Sequence, residues 1–597
     1  MKKQLWFTLM VAVITALVLA ACASPAAAPA AAPAAAPAAA VPATEVPAAP
    51  DAPAATLAPA ATEAAAPAAP AAPAAAAITL DEALVSGKVL KAEGVQPVQG
   101  GILNMVLRDI THMDPVSIAA DVEPYVLIWE TLFEFDQQWK PTPLLVKSFT
   151  VSDDGLVHTW KLREGITFHD GSKFNAEVVK WNIDRKIEQN TPYATSIPWA
   201  QDPIKVIDEY TVTATLREPS FVMYNYLTGS SYMMYSQKFV ESVTADDLKN
   251  RGVGTGPFII KEYLPGDRLI LERNTNYWQE GLPFLDGVNI SLIADPNTRV
   301  LMLESGEVQF VKDLTIQDIN RLKENALIKT QVAPSTRSYH IPPHNLRPPF
   351  DNINVRKALN YAVDKEAMNK SIFDGKFTVS LGLATSNVQG YSKNEPYAYD
   401  PEKAKKLLEA AGLVDVDGDG FREWEGKKKA FIIYTRAGQR AGDIEIVEQF
   451  QFFMSEVGLR VEIQIIDSGQ YFTVLNQPFG TAPYYDLSSQ APSNFIADMS
   501  YPLDTMFSGW SWPGKFFNYS HYKNSKVDEL IKAGNGAGSL EARNKYYTEA
   551  QDIIWNEAAS VFLFDGILTL GTTPNLRGVF NDGAHNVWNM KYAWFGD

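Results

Sequence analysis

The 597-residue chain has one cysteine, Cys22. The body that follows it can form no internal disulfide and no thiolate metal site. Histidine is sparse too, with seven residues scattered from His112 to His585. His340 and His344 are four apart, but Pro342-Pro343 between them forbids the helix that would bring both to one face. There is no His-Glu-x-x-His, no Gly-x-Ser-x-Gly and no Rossmann glycine fingerprint. Gly509 to Lys515 has the spacing of a phosphate loop, yet Phe516 stands where a magnesium-binding hydroxyl is needed, so no nucleotide site is expected. Positive charge is the minority: Lys and Arg total 52 against 69 Asp and Glu, a formal net charge of -17. That balance argues against a nucleic-acid partner, which requires a basic face. No second apolar run follows the N-terminal one at membrane-spanning length, so a soluble body is expected.

What is present begins with a leader. Lys2 and Lys3 precede an apolar core, Leu5 to Val18, and small residues lead to Cys22. The stretch Leu19-Ala20-Ala21-Cys22 resembles the lipobox of bacterial lipoproteins. The resemblance implies removal of residues 1–21 and a lipid on the sulfur of Cys22. Residues 22–77 are almost all Ala and Pro, without apolar periodicity, and read as a disordered tether. Such a segment favours extended polyproline II at about 3.1 Å per residue.

The remaining length suits two or three domains, and a hydrophobic fraction of 46% supplies a large core. Aromatics are plentiful at 13 Trp, 24 Tyr and 29 Phe, which also suits a protein that wraps an organic ligand. A short helix is expected around Asp81 to Val85, and a buried strand over Ile102 to Leu107. Val126 to Phe133 reads as a helix, Val157 to Leu162 as a strand, and Gly165 to Phe168 as the start of another. Ala176 to Arg185 follows as a helix, and Phe258 to Leu264 with Arg268 to Glu272 as a hairpin. Beyond Pro348-Pro349-Phe350 the pattern becomes helical: Val355 to Met368, Pro401 to Ala411 capped by Asp400, Ile444 to Val457 and Leu540 to Glu557. Strands Ala430 to Tyr434 and Arg460 to Ile466 fall between them, so the second half reads as α/β.

One loop has the pattern of a metal site. Asp415, Asp417 and Asp419, with Gly420, match the start of an EF-hand calcium loop. Position 12 is Gly426 instead of the bidentate Glu, and flanking helices are missing. Two readings stay open: structural calcium on a surface loop, or an acidic turn.

Five stretches, taken together and in order, resemble one family. They are Leu162 to Gly171 with Phe174-Asn175-Ala176-Glu177; Gly254-Thr255-Gly256-Pro257-Phe258 with Tyr277-Trp278; Ser305-Gly306-Glu307-Val308; Pro348 to Asp351 with Val355 to Leu359; and Tyr399 to Ala404. The family is the extracellular solute-binding proteins (family 5) of ABC importers, which includes oligopeptide, dipeptide and nickel receptors. The resemblance implies an α/β, type II periplasmic-binding-protein fold of two lobes with a hinge and an inserted subdomain. Lobe I would comprise residues 98–135, 251–335 and 560–597, with the insert at 136–250 and lobe II at 336–559. It implies no enzyme and no cofactor beyond the calcium just described. The receptor would be a lipid-anchored extracytoplasmic monomer that captures a peptide and delivers it to ABC permease subunits. The alternatives are an oligosaccharide, nickel, or a secreted hydrolase using carboxylates such as Asp498 and Glu123.

The resemblance also implies site residues. Phe495-Ile496-Ala497-Asp498, then Pro502, is similar to the Trp-x-Ala-Asp stretch whose aspartate holds a peptide's amino group. Asp498 is therefore the leading ligand contact, with Phe495 beside it. Tyr193, Glu123, Lys312 and Asp313 are carried over as cleft residues, and Trp510 and Trp512 as stacking surfaces.

Overall fold

The computed structural model describes residues 96–597 apart from 111–112, 115–122, 137, 190–195, 437–441, 478–483, 513–515, 583–584 and 597. They lie within one compact unit, Pro73–Asp597. The leader, Cys22, the Ala/Pro-rich tether, the helix expected at Asp81 to Val85 and Tyr193 fall outside the described residues. No described helix is long and apolar enough to cross a membrane.

Strand Ile102–Leu107 sits inside an eight-stranded mixed sheet. It pairs in parallel with Gly287–Leu292 on one side and Phe310–Lys312 on the other. Its mostly apolar sequence is explained by that central place: Leu103, Met105 and Val106 are fully buried. The sheet continues outward through Arg268–Arg273 to Phe258–Leu264, the predicted hairpin. The helix expected at Val126 to Phe133 instead runs Glu123–Ile128, and Phe133–Phe135 is a strand. It stops where Gly254 and Gly256 pass against the carbonyl of Ile128, which accepts the N–H of Gly256 at 2.9 Å. A Cβ on Gly256 would lie 2.7 Å from that backbone, so only glycine fits.

The insert is a four-stranded antiparallel sheet ordered Val146–Val151, Val157–Leu162, Thr211–Leu216, Trp199–Asp208. Helix Ala176–Glu188 covers it, and Trp160, Phe174, Ile183 and Val212 are buried between. No strand forms over Gly165 to Phe168. The turn there makes only an isolated bridge, Thr167 to Lys173.

The second lobe is built on three parallel strands, Arg460–Ile466, Ala430–Arg436 and Leu487–Ser488. Helix Asp443–Glu456 makes the crossover between the first two. The single helix expected at Val355 to Met368 is two, Ile353–Ala362 and Lys365–Phe373. Asp364 separates them because its side chain accepts the N–H of Ala367 at 2.9 Å and starts the second helix. Helices Ser525–Asn535 and Leu540–Asn556 pack together over a further core holding Phe507, Ile531, Tyr547 and Trp555.

Two long antiparallel strands, Lys329–Ile341 and Val561–Thr572, join the lobes. One end of Val561–Thr572 pairs with Phe310–Lys312 in the large sheet. At the other end, Ile341, Val561 and Leu563 are buried with Ile433, Leu359 and Phe450 of the second lobe. The register shifts between Pro334 and Ser338 and again at Tyr339/His340. Proline offers no ladder N–H, so the pairing loosens between the two lobes.

Candidate functional site

The two crossing strands form the floor of a cavity of about 1120 Å³. The large sheet contributes Arg108 and Asp109 after its central strand and Lys312 and Asp313 at the end of Phe310–Lys312, and helix Pro296–Glu304 contributes Arg299. The crossing strands contribute Arg337, Tyr339 and His340, with Ile567 to Thr569 opposite. From the second lobe come Arg436, at the carboxyl end of its strand, and Ile444 and Glu445, at the start of the crossover helix. Phe373, Phe377, Phe472, Phe495, Phe517 and Tyr519 give the walls an aromatic surface.

One wall is an edge addition to the crossing strand. His340 and Gln490 exchange backbone hydrogen bonds of 2.9 Å, and the N–H of Ser338 donates to Pro492 O at 3.1 Å. Residues 487–493 are thereby laid along Lys329–Ile341, which sets Gln490, Ala491 and Ser493 in the wall. Arg337 Nη1 donates to Ala491 O at 2.8 Å and ties the same two segments. His340 Nδ1 lies 2.9 Å from Ser560 Oγ, and burial pushes its pKa down to about 3, so its ring is neutral. Arg436 is 5% exposed and its guanidinium lies over Tyr471 and Phe472, at 5.0 and 5.5 Å from the ring centroids. Tyr471 is in turn fixed by its hydroxyl, which donates to Ser489 O and accepts from Gln490 Nε2 at 2.6 Å.

The structure distributes the expected site residues unevenly. Phe495, Lys312 and Asp313 line the cavity. Glu123 is fully buried behind Lys312, whose Nζ donates to Glu123 Oε2 at 2.8 Å and lies 3.9 Å from Asp313. Asp313 takes a left-handed backbone conformation, φ 57°, and its N–H is held by Thr569 O at 3.1 Å.

Asp498 stands elsewhere. It is fully buried and is not among the lining residues. Its Oδ2 accepts Arg543 Nη2 at 2.6 Å, and its Oδ1 accepts Arg543 Nη1 at 3.3 Å and the N–H of Ser500 at 2.8 Å. The carboxylate expected to meet an amine is thus closed by a bidentate pair with a residue of helix Leu540–Asn556. Arg543 is itself 1% exposed, against Tyr547 and Phe221. Trp510 and Trp512 do not line the cavity: Lys532 lies over the ring of Trp510, and Trp512 sits edge-on to His521 at 5.5 Å.

Asp415, Asp417 and Asp419 do converge, with ligand atoms within 4.8 Å of one another on the surface. Asp415 accepts the N–H groups of Gly418 and Gly420 at 2.7 and 2.9 Å. Lys428 Nζ lies 2.7 Å from Asp417 and bonds Asp419 as well. The donor set has calcium chemistry, and a lysine ammonium takes up two of its three carboxylates.

Arg337 and Arg436 are among the cavity residues that sequence reasoning missed. Arg436 had a usable signal, since it closes a parallel strand of an open α/β sheet and ligands bind outside the carboxyl ends of such strands. Arg337 had none, because its place depends on the pairing of 487–493 with the crossing strand.

Residues 140–514 match the family described as bacterial extracellular solute-binding proteins, family 5 Middle. The chain is 30% identical over 477 residues to the glutathione-binding protein GsiB of Escherichia coli K12, covering 79% of this chain and 90% of that protein. Its fold is similar to the oligopeptide-binding protein AppA of Bacillus subtilis, solved with a nonapeptide, at TM-score 0.74 and 22% identity over 84% of this chain and 100% of that one. The periplasmic binding protein DppA of Helicobacter pylori, solved with peptide STSA, gives TM-score 0.72 and 23% identity over 85% of this chain and 99% of that one. The fold is the type II periplasmic-binding-protein fold, and the chain belongs to the bacterial extracellular solute-binding proteins, family 5.

Proposed function

We propose that this receptor captures a short peptide or peptide-like solute and hands it to an ABC permease without chemistry on the solute. The observation that carries the reading is the cavity at the lobe crossing. Its volume of about 1120 Å³ lies just above the usual span of small-molecule sites, roughly 300–1,000 Å³, and suits a few linked residues better than a single metabolite. Edge-paired backbone at 487–493 and aromatic walls suit an extended chain, whose amide groups need partners and whose side chains need apolar cover. The relatives named above, with glutathione, a nonapeptide and STSA as their ligands, support the same class.

The leader supports a lipid on Cys22, and the Ala/Pro-rich segment supports a tether that confines a monomeric receptor near its permease outside the cytoplasm. Native purification followed by mass spectrometry of the released solute tests the ligand class. A peptide or peptide conjugate is expected. A sugar, or a nickel chelate, recovered at one per protein would replace the reading. Thermal melting of stripped protein against di- to pentapeptides should show concentration-dependent stabilisation.

A further inference from the structure

The inserted subdomain touches the second lobe across 271 residues of sequence. The contact centres on the turn 494–501. Backbone ties this turn to the second lobe: the N–H of Gln389 donates to Ala497 O, and the N–H of Met499 donates to Gln389 O, both at 2.9 Å. Met499 and Leu503 are fully buried in the core that also holds Ile531 and Tyr547. These ties are independent of the Asp498–Arg543 pair.

The other face of the turn enters the insert. Ile496 and Tyr501, each 2% exposed, are buried in the cluster that contains Met223, Tyr226 and Leu227. The buried Asn225 donates from Nδ2 to Ile496 O at 2.8 Å. Ala497 packs with Phe135 and Trp139, and Arg543 lies over the ring of Phe221 at 5.7 Å. The chain reverses between the two faces at Ala497, whose φ of 51° is costly for an alanine. Strain of this kind persists where the surroundings enforce it, and it gathers at clamps and switches.

The contact adjoins the cavity without filling it. Phe495 and Tyr501 line the wall, whereas Asn225 and Ile496 do not. The floor is formed by the crossing strands, whose pairing shifts between Pro334 and Ser338, so rotation there can part the insert from the turn. Parting exposes a carboxamide and a carbonyl that water satisfies, together with a few apolar side chains. A contact of that make-up opens more readily than a core.

We propose that the inserted subdomain is a latch for lobe closure: Asn225 and the apolar socket beside it receive Ile496 and hold the cavity shut, with or without solute. Asn225 is thus a positioning residue that acts through Phe495 and Tyr501 on the wall. The proposal goes beyond the peptide reading and holds for any solute the cavity takes.

Small-angle X-ray scattering of the full-length protein, refolded to remove bound solute, reads the balance of closed and open forms. The stripped parent should hold a substantial closed population. Asn225→Ala removes the donor, and Asn225→Asp keeps the side-chain shape but sets an acceptor against Ile496 O. Asn225→Ala should lower the closed-to-open ratio about three- to tenfold, the loss of one hydrogen bond across the contact, and Asn225→Asp should lower it further. Both variants should melt close to the stripped parent, since each lobe keeps its own core. A stripped parent that is wholly open would overturn the proposal, as would scattering unchanged in both variants. Variants that fail to fold, or that melt far below the parent, would also overturn it, because Asn225 would then belong to a core and not to a latch.

Discussion

Glu123 and Asp498 are both fully buried carboxylates, each bonded to a cation, and they differ in what lies on the far side of that cation. Lys312 keeps 12% of its side chain exposed and opens onto the cavity, whereas Arg543 keeps 1% and faces Tyr547 and Phe221. Burial of an ion pair is costly in both places, because each charge loses its water. At Asp498 the return is structural: the pair joins the 494–500 turn to helix Leu540–Asn556, and the Asn225 side chain of the insert donates to Ile496 O beside it at 2.8 Å. At Glu123 the carboxylate anchors a lysine that lines the cavity. A buried charge marks a binding surface only where its partner is left accessible.

The sharpest way to break this contrast is Arg543→Ala. It strands Asp498 without its bidentate partner in a site that water does not reach, and should cost about 3–5 kcal/mol of stability in urea unfolding at low temperature. Solute affinity of the folded protein should be unchanged. A variant of near-wild-type stability that loses affinity would place Asp498 in the binding site after all.

Lys312→Ala should have a smaller effect on folding and a larger one on binding. Glu123 loses a hydrogen-bonded cation, about 1–3 kcal/mol, moderated because the space vacated by the lysine opens to the solvent of the cavity. Calorimetry should show altered affinity in the same variant. Unchanged affinity would make Lys312 a neutralising group for Glu123 and nothing more, which would erase the difference between the two pairs.

What was legible follows from range. Strand Ile102–Leu107, the hairpin from Phe258 and the Asp400-capped helix are written in local periodicity and capping, and they form as read. The break at Asp364 is just as local, but its capping signal was subordinate to a continuous apolar face. Lys312, Asp313 and Phe495 were legible as cavity neighbours only through the family pattern. The Asp498–Arg543 pair spans 45 residues between a turn and a helix, and no spacing rule connects them. Arg337 is placed by pairing between strands about 150 residues apart, which depends on the completed fold.

The smallest effect is expected at the acidic turn, where charges are paired in full contact with water. Lys428 bridges Asp417 and Asp419 on the surface, so Lys428→Ala should leave the melting temperature almost unmoved in the absence of metal. Its consequence lies in competition. With the ammonium gone, three converging carboxylates repel one another, and a divalent cation relieves that repulsion more effectively than it can in the wild type. Millimolar calcium should therefore raise the melting temperature of the variant more than that of the parent. Equal responses would show that Lys428 does not contend for the site. A large response in the parent alone would mean that calcium uses Asp415 and backbone carbonyls, with Lys428 displaced as a matter of course.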